Sequence, residues 1–189
     1  MTALQGLRDT GRFQSGQKVL VIGASGGVGT FAVQIARALG AQVDGECHAD
    51  NVEMVRSLGA DRVIDYTRGD VTRGAARYDV ILQLGGTRSP SALRRVLAPK
   101  GTLVLSSGAG RFAGIDRIVR ALVVSPFVGQ RLTTFNAKAS SADLAFLTGL
   151  IESGKITPVI DRLLPLSQAP TAIRYLQTGR TRGKVVLTV

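Results

Sequence analysis

The chain alternates short apolar runs with longer stretches of mixed polarity. Lys18–Ile22, KVLVI, is continuously apolar after its lysine and bounded by Gly16 and Gly23, the pattern of a strand buried on both faces. An Ala/Val/Ile-rich stretch up to Gly40 follows with helical spacing. Gln42–Cys47 predicts a second strand, weakened by Asp44, Gly45 and Glu46. A helix is expected over 51–58, capped by Asp50 or Asn51 and ended by Gly59. Further strands are expected at 62–66, 78–84, 101–106 and Arg131–Phe135. Helices are expected at 2–8, at 89–97 (stopped by Pro99), at 112–124 and at 141–153 (capped by Ser140 or Ser141). The last stretch has a different texture, with strands at 158–164 and 184–189 flanking a helix at 167–177.

Strand and helix thus alternate in the βαβ manner, which predicts an α/β fold with a doubly wound parallel sheet and helices on both faces. Such a sheet binds its ligand beyond the carboxyl ends of the strands. The small-residue segments 23–29, 84–86 and 106–110 are therefore expected to converge on one crevice. The first carries the sharpest signal, with Gly23, Gly26 and Gly29 lying between a strand and a helix. Glycines let the backbone approach a phosphate, and the first helical N–H groups with the helix dipole face it. A lone glycine triplet is weak evidence; the strand before it and the helix after it strengthen it.

Composition narrows the class. The 189 residues suit one domain with a small appendage, and 44% hydrophobic content supports a packed core. No apolar run reaches a membrane span, and the first residues lack the apolar stretch of a signal peptide, so no membrane association and a cytoplasmic location are expected. The single cysteine rules out an internal disulfide and a multi-thiolate metal site. Net charge is +11, but the arginines are scattered and aromatics make up only 5%, which favours a solvated basic surface over a nucleic-acid face.

Other constellations read weakly. Cys47 and His48 are adjacent and point to opposite faces of a strand, too few and too divergent for zinc. Ser106-Ser107 has no remaining histidine to activate it, and Asp65-Tyr66 reads better as part of a cofactor site than as an acid/base pair. Arg180 and Arg182, near Lys184, form either an anion site or a solvated tail. Tyr175, near Ile173 and Leu176 on the last helix, reads as core.

Taken together, TALQGLRDTGRFQSGQKVLVIGASGGVGTFAVQIARALGA, NVEMVRSLGADRVIDYT, YDVIL, LAPKGTLVLSSG, LIESGKITPVIDRLLPL and RYLQTGRTRGKVVLTV resemble the zinc-independent quinone/enone reductases of the medium-chain dehydrogenase/reductase superfamily. These pieces cover nearly the whole chain, in the family's order. The resemblance implies a Rossmann dinucleotide-binding domain over 1–156. It also implies a segment over 157–189 that returns to a GroES-like catalytic domain, whose counterpart is absent here. The tail's apolar strands would then lack their usual partner, an arrangement that invites association. The implied activity is hydride transfer from a nicotinamide to a quinone or activated alkene, with a small-molecule substrate, no metal, and little or no turnover by this chain alone. The competing expectation is a non-catalytic nucleotide-binding module acting as a redox sensor or in assembly. A homodimer through the edge strand 131–135 is also implied.

The cofactor implied by the resemblance is NADPH, with NADH less favoured. Ser25, Gly26, Gly27 and Val28 would hold the pyrophosphate, and Tyr66 would lie near the 2′-phosphate. Leu84 and Gly85 would border the ribose, and Ser106, Ser107 and Gly108 the nicotinamide. Phe135 and Asn136 would meet the carboxamide, and Lys184 a phosphate. An NAD site wants an acid at the end of the second strand, where Cys47 stands, with Glu46 facing the other way. That favours NADP(H). Against it, relatives carry Ser, Thr and Arg just beyond, where this chain has His48, Ala49 and Asp50. Asp50 would repel a phosphate, the clamping arginine is lacking, and a protonated His48 would compensate only in part. Gln83 replaces an aspartate common in relatives, with no evident functional reason.

Overall fold

A computed structural model describes residues 1–106 and 129–189 of the chain. The helix expected over 112–124 lies outside them, as do Ser107 and Gly108. Six strands form one parallel sheet: β1 Lys18–Ile22, β2 Gln42–Cys47, β3 Arg62–Asp65, β4 Tyr78–Gln83, β5 Leu97–Ser106 and β6 Arg131–Phe135. Their spatial order is β3-β2-β1-β4-β5-β6, which leaves β6 at one edge. The helices are α1 Thr2–Gln5, α2 Gly29–Ala38, α3 Val52–Ser57, α4 Pro90–Arg94, α5 Ser141–Glu152 and α6 Ala169–Gln177. The fold is the α/β, Rossmann-like arrangement that the strand–helix alternation predicts. Among the described residues no helix is long and apolar enough to cross a membrane.

Strand alternation divides the core in two. Val19 and Val21 face the layer that holds residues of α1, α2, α3 and α5, whereas Leu20 and Ile22 face Leu93 of α4 on the other side. All four are essentially inaccessible to water. Complete burial explains why β1 reads as a continuous apolar run rather than an alternating one. At β2 the polar residues that weakened the expectation have partners. Asp44 accepts a hydrogen bond from the Tyr78 hydroxyl at 2.7 Å and lies 3.4 Å from the Lys18 ammonium.

Several boundaries differ from the sequence pattern. The helix expected over 89–97 is only Pro90–Arg94, capped by the Ser89 hydroxyl, which accepts from the Ala92 amide. The chain re-enters the sheet at Leu97, and residues 98–101 bulge out between the pairs Tyr78↔Leu97 and Val80↔Thr102. A bulge is where a strand tolerates Pro99, which has no amide hydrogen for the ladder. Gly101 lets the strand return, since a Cβ there would meet the Tyr78 carbonyl at 2.9 Å. The helix expected over 51–58 begins as a tight turn, Ala49–Asn51, capped by His48 rather than by Asp50 or Asn51. Asn51 caps nothing with its side chain because its carboxamide is turned toward Ser25.

The tail forms a separate β-α-β unit. β7 Ile160–Pro165 and β8 Lys184–Thr188 pair in parallel, with α6 between them in sequence. Two contacts join it to the main sheet's glycine turn: the Gly183 amide donates to the Ser25 carbonyl at 2.9 Å, and Gly26 and Gly183 form a parallel bridge.

Candidate functional site

The turn after β1 is built by steric need. Gly23 adopts φ +83°, a left-handed conformation that favours glycine. A Cβ on Gly29 would overlap the Gly23 carbonyl oxygen, so the start of α2 can pass this close only as glycine. Gly26 differs. A Cβ there would meet only Gly23 O at 3.5 Å, so the chain's own packing does not demand glycine, and Gly26 faces an open groove. The Thr30 amide donates to the Gly26 carbonyl, which leaves the amides of Val28 and Gly29 ahead of that bond at the positive end of α2, while the Gly26–Gly183 bridge engages the Gly27 amide.

The groove has a volume of about 1130 Å³. Its floor includes Ser25, Gly26, Leu84 and Gly85, the carboxyl ends of β1 and β4 and the turns beyond them. One wall carries Cys47, His48, Asp50, Asn51 and Tyr66, and the opposite wall is the tail: Asp161, Arg162, Tyr175 and the loop 178–182. Thus Ser25, Gly26, His48, Tyr66, Leu84 and Gly85 share one groove. Gly27 instead packs under the tail, where a Cβ would meet the Gly183 carbonyl at 3.0 Å and Lys184 Cδ at 3.1 Å. The stem of Lys184 therefore lies over the turn. Val28 is half-buried against the core. Ser106 ends β5 opposite Phe135 at the end of β6. The Phe135 ring packs toward Gly6, where a Cβ would meet its Cζ at 3.0 Å, and Asn136 is exposed.

The side chains at the β2 end have settled chemistry. Cys47 is buried, and burial with the nearby carboxylates of Asp65 and Glu46 pushes its thiol up to about 11, so it is protonated at neutral pH. The Asp65 carboxyl sits below its ordinary range because the Thr67 amide and hydroxyl donate to it, which holds it as a carboxylate rather than an acid. His48 Nδ1 accepts from the Asp50 amide and lies 3.3 Å from the Asp50 carboxylate, and the imidazole meets Tyr66 edge-on at 5.8 Å. Asp50 thus engages one ring nitrogen of the residue expected to offset the missing arginine. Glu46 faces the other side of the sheet, as alternation requires, and is buried against Arg88 at 2.6 Å. Arg88 also meets Asp70 at 3.3 Å, and the Gln83 amide donates to the Arg88 carbonyl at 3.4 Å, which ties down the loop after β4.

Three features escaped the sequence pattern. Tyr175 is not core: its hydroxyl donates to Asp161 at 2.8 Å, and its ring lies 3.7 Å beneath the Arg162 guanidinium at the groove wall. Asn51, 8% exposed, donates from Nδ2 to Ser25 Oγ, and its Oδ1 is buried without a partner among the described residues. Arg162 joins Arg180 and Arg182 at the groove, although β7 gives no sequence hint of it. The groove fits a dinucleotide on the chain's own evidence: a glycine that the chain's own packing does not demand, the Val28 and Gly29 amides at a helix start, and an orphaned acceptor suited to a ribose hydroxyl. Among the described residues no group of three or more His, Cys, Asp or Glu side chains could hold a metal ion.

Comparison with known proteins gives the same direction. Residues 58–187 match the family model described as zinc-binding dehydrogenase. The chain is 35% identical over 195 residues to the mouse "NAD(P)H oxidoreductase RTN4IP1, mitochondrial", covering 92% of this chain and 48% of that protein. It is 32% identical over 190 residues to an Arabidopsis thaliana "NADPH-dependent alkenal/one oxidoreductase, chloroplastic", covering 98% and 44%. The structure of the quinone oxidoreductase from Coxiella burnetii superposes with a TM-score of 0.86 at 27% identity, covering 100% of this chain and 57% of that one. The chain therefore spans about half the length of the curated relatives it matches. It belongs to the zinc-binding dehydrogenase family, in the quinone/enone reductase branch of the medium-chain dehydrogenase/reductase superfamily.

Proposed function

We propose that this chain binds NADP(H) in the groove beyond β1 and β4, and is the cofactor-holding part of an oxidoreductase acting on quinones or activated alkenes. The observation that carries the reading is the Gly23–Gly29 turn, which opens on the groove at a glycine the chain's own packing does not require. In this reading the amides of Val28 and Gly29 face the pyrophosphate, and Asn51 Oδ1 accepts from a ribose hydroxyl. Tyr66 flanks the adenosine, and the tail closes the groove from above. The dinucleotide, when bound, supplies the hydride, while the chain binds and orients it. Cys47, the thiol at the groove, is protonated and takes no nucleophilic part. Groups that position and polarise the acceptor come from outside 1–189, so the isolated chain binds cofactor and turns over little or no quinone.

Titration of the purified chain with NADPH and NADH, followed by calorimetry or nicotinamide fluorescence, tests the reading. Micromolar binding of at least one dinucleotide is expected. Binding of neither would sink the proposal and favour a structural or assembly role. Turnover of a quinone by the 189 residues with NADPH would overturn the division of labour while leaving the cofactor site intact.

A further inference from the structure

Residues 136–140 follow β6 without regular structure, yet their backbone is held from the far end of the chain. The carboxamide of Gln5, the last residue of α1, pairs with both backbone groups of Lys138. Its Nε2 donates to the Lys138 carbonyl at 2.9 Å, and its Oε1 accepts from the Lys138 amide at 2.9 Å. The second hydrogen on Nε2 goes to Asp143 Oδ2 at 2.6 Å. A carboxylate only accepts, so this third bond fixes which end of the carboxamide is nitrogen, and hence how it meets Lys138. Bonds from Gln5 and Arg8 hold the Asp143 carboxyl below its usual range, which keeps it ionised for that part. Gln5 itself is only 9% exposed, so its side chain is spent entirely on this grip.

The residues after Gln5 extend the grip along β6. The Phe135 ring at the strand's end seats on Gly6, where even a Cβ would crowd it. The Arg131 guanidinium at its start donates to the Thr10 carbonyl at 2.8 Å. Gly6 and Gln5 therefore fix Phe135 and Lys138, and Asn136 and Ala137 are strung between these two points. A loop that is free before binding must be ordered when a ligand docks on it, whereas one already held avoids most of that cost.

This end of the sheet is where one half of a dinucleotide would lie. The glycine turn follows β1, and the order β3-β2-β1-β4-β5-β6 gives that turn two distinct sides. A doubly wound sheet places the adenosine ribose at the end of β2. The other half then runs over the ends of β4, β5 and β6, where Ser106 and Phe135 are paired.

On the reading that the groove takes a dinucleotide, we propose that Gln5 is a positioning residue for the nicotinamide half: through Lys138 it presets the backbone of 135–138 on which that half docks. Gln5 is buried and acts through that backbone, not by contact with the cofactor.

The test compares NADPH with 2′,5′-ADP, which lacks the nicotinamide, on the full 189-residue chain and its Gln5→Met variant; NADH and ADP take their place if the chain prefers NADH. Methionine has a similar length and makes none of the three bonds. Gln5→Met should weaken NADPH about threefold to tenfold and 2′,5′-ADP less than about twofold. It should also lower the fluorescence anisotropy of the bound nicotinamide. Arg8→Gln removes a bond to Asp143 but leaves all three Gln5 bonds, so it should leave the ratio of the two affinities unchanged whatever it does to the thermal midpoint. An equal fall for both ligands in Gln5→Met, no change in either, or the same shift in Arg8→Gln would make Gln5 a structural staple and overturn the inference. If Gln5→Met does not fold, hydrogen exchange in the unaltered chain decides. Coupling is reciprocal, so saturating NADPH should slow exchange of the Lys138 amide about threefold to tenfold more than saturating 2′,5′-ADP does, and equal protection would overturn the inference. Binding of neither dinucleotide by the unaltered chain would refute the groove reading and this inference with it, whereas the other adverse results leave the groove reading standing.

Discussion

The molecule contains two parallel sheets with the same apolar vocabulary and opposite fates. In β4, Val80, Ile81 and Leu82 are sealed from water; in β7, Leu163 of the similarly apolar IDRLLP is 63% exposed. Both sheets pair their strands in parallel through backbone hydrogen bonds. The difference lies in layering. The six-stranded sheet has helical layers packed on each face, whereas among the described residues the two-stranded sheet has only α6, of which Ala172 alone is buried. Hydrogen bonding makes a strand, but burial needs a second layer on each apolar face. The consequence is functional as well as energetic. The well-covered sheet fixes the glycine turn, and the poorly covered one supplies a charged wall that the turn lacks.

The sharpest way to break this contrast is inside the large sheet. Arg88→Gln would leave Glu46 buried and unpaired, at a cost of about 3–5 kcal/mol by urea unfolding. Burial already raises the Glu46 carboxyl and Arg88 opposes that, so the variant raises it further. A carboxyl whose folded value exceeds its unfolded one binds more protons when folded, so stability falls as pH rises past about 4.3. The variant's deficit should therefore shrink as pH is lowered toward that value, and a pH-independent deficit would contradict the buried-charge account. Leu20→Ala is next, with a loss of about 3 kcal/mol from a position of zero exposure.

Smaller effects come from the surface that joins elements. Asp143 at the start of α5 accepts from Gln5 at 2.6 Å and Arg8 at 2.8 Å, which lowers its carboxyl below the usual range. Its contribution is present above the unfolded aspartate value of about 3.9 and is lost as pH falls through its depressed folded value. Asp143→Asn should therefore flatten the acid limb of the stability profile and loosen α1, visible as faster amide exchange at Ala3 and Leu4. Least affected should be Leu163→Ala, with a change within about 0.5 kcal/mol. A loss there comparable to that of Leu20→Ala would mean that the tail's apolar face is covered in solution, and sedimentation would then reveal the second copy.

Local sequence rules were enough wherever one element's own atoms settle the matter. Complete burial writes a continuous apolar run into β1. The near-contact of Gly29 with the Gly23 carbonyl writes the glycine spacing into the turn. Ser140, accepting from the Asp143 amide, marks the start of α5 as its residue type predicts. Because these constraints act over a few residues, Lys18–Ile22 and Arg131–Phe135 are legible at their bounds. Tertiary structure alone decided what depends on distant segments. Pro99 became part of a strand because Tyr78 and Thr102 hold the bulge around it. Tyr175 left the expected core because, among the described residues, no second layer covers α6. Arg162, Arg180 and Arg182 reached the groove because Gly183 bonds to Ser25 across most of the chain's length. No residue pattern within either segment records that bond, since it exists only once Gly183 and Ser25 meet in space.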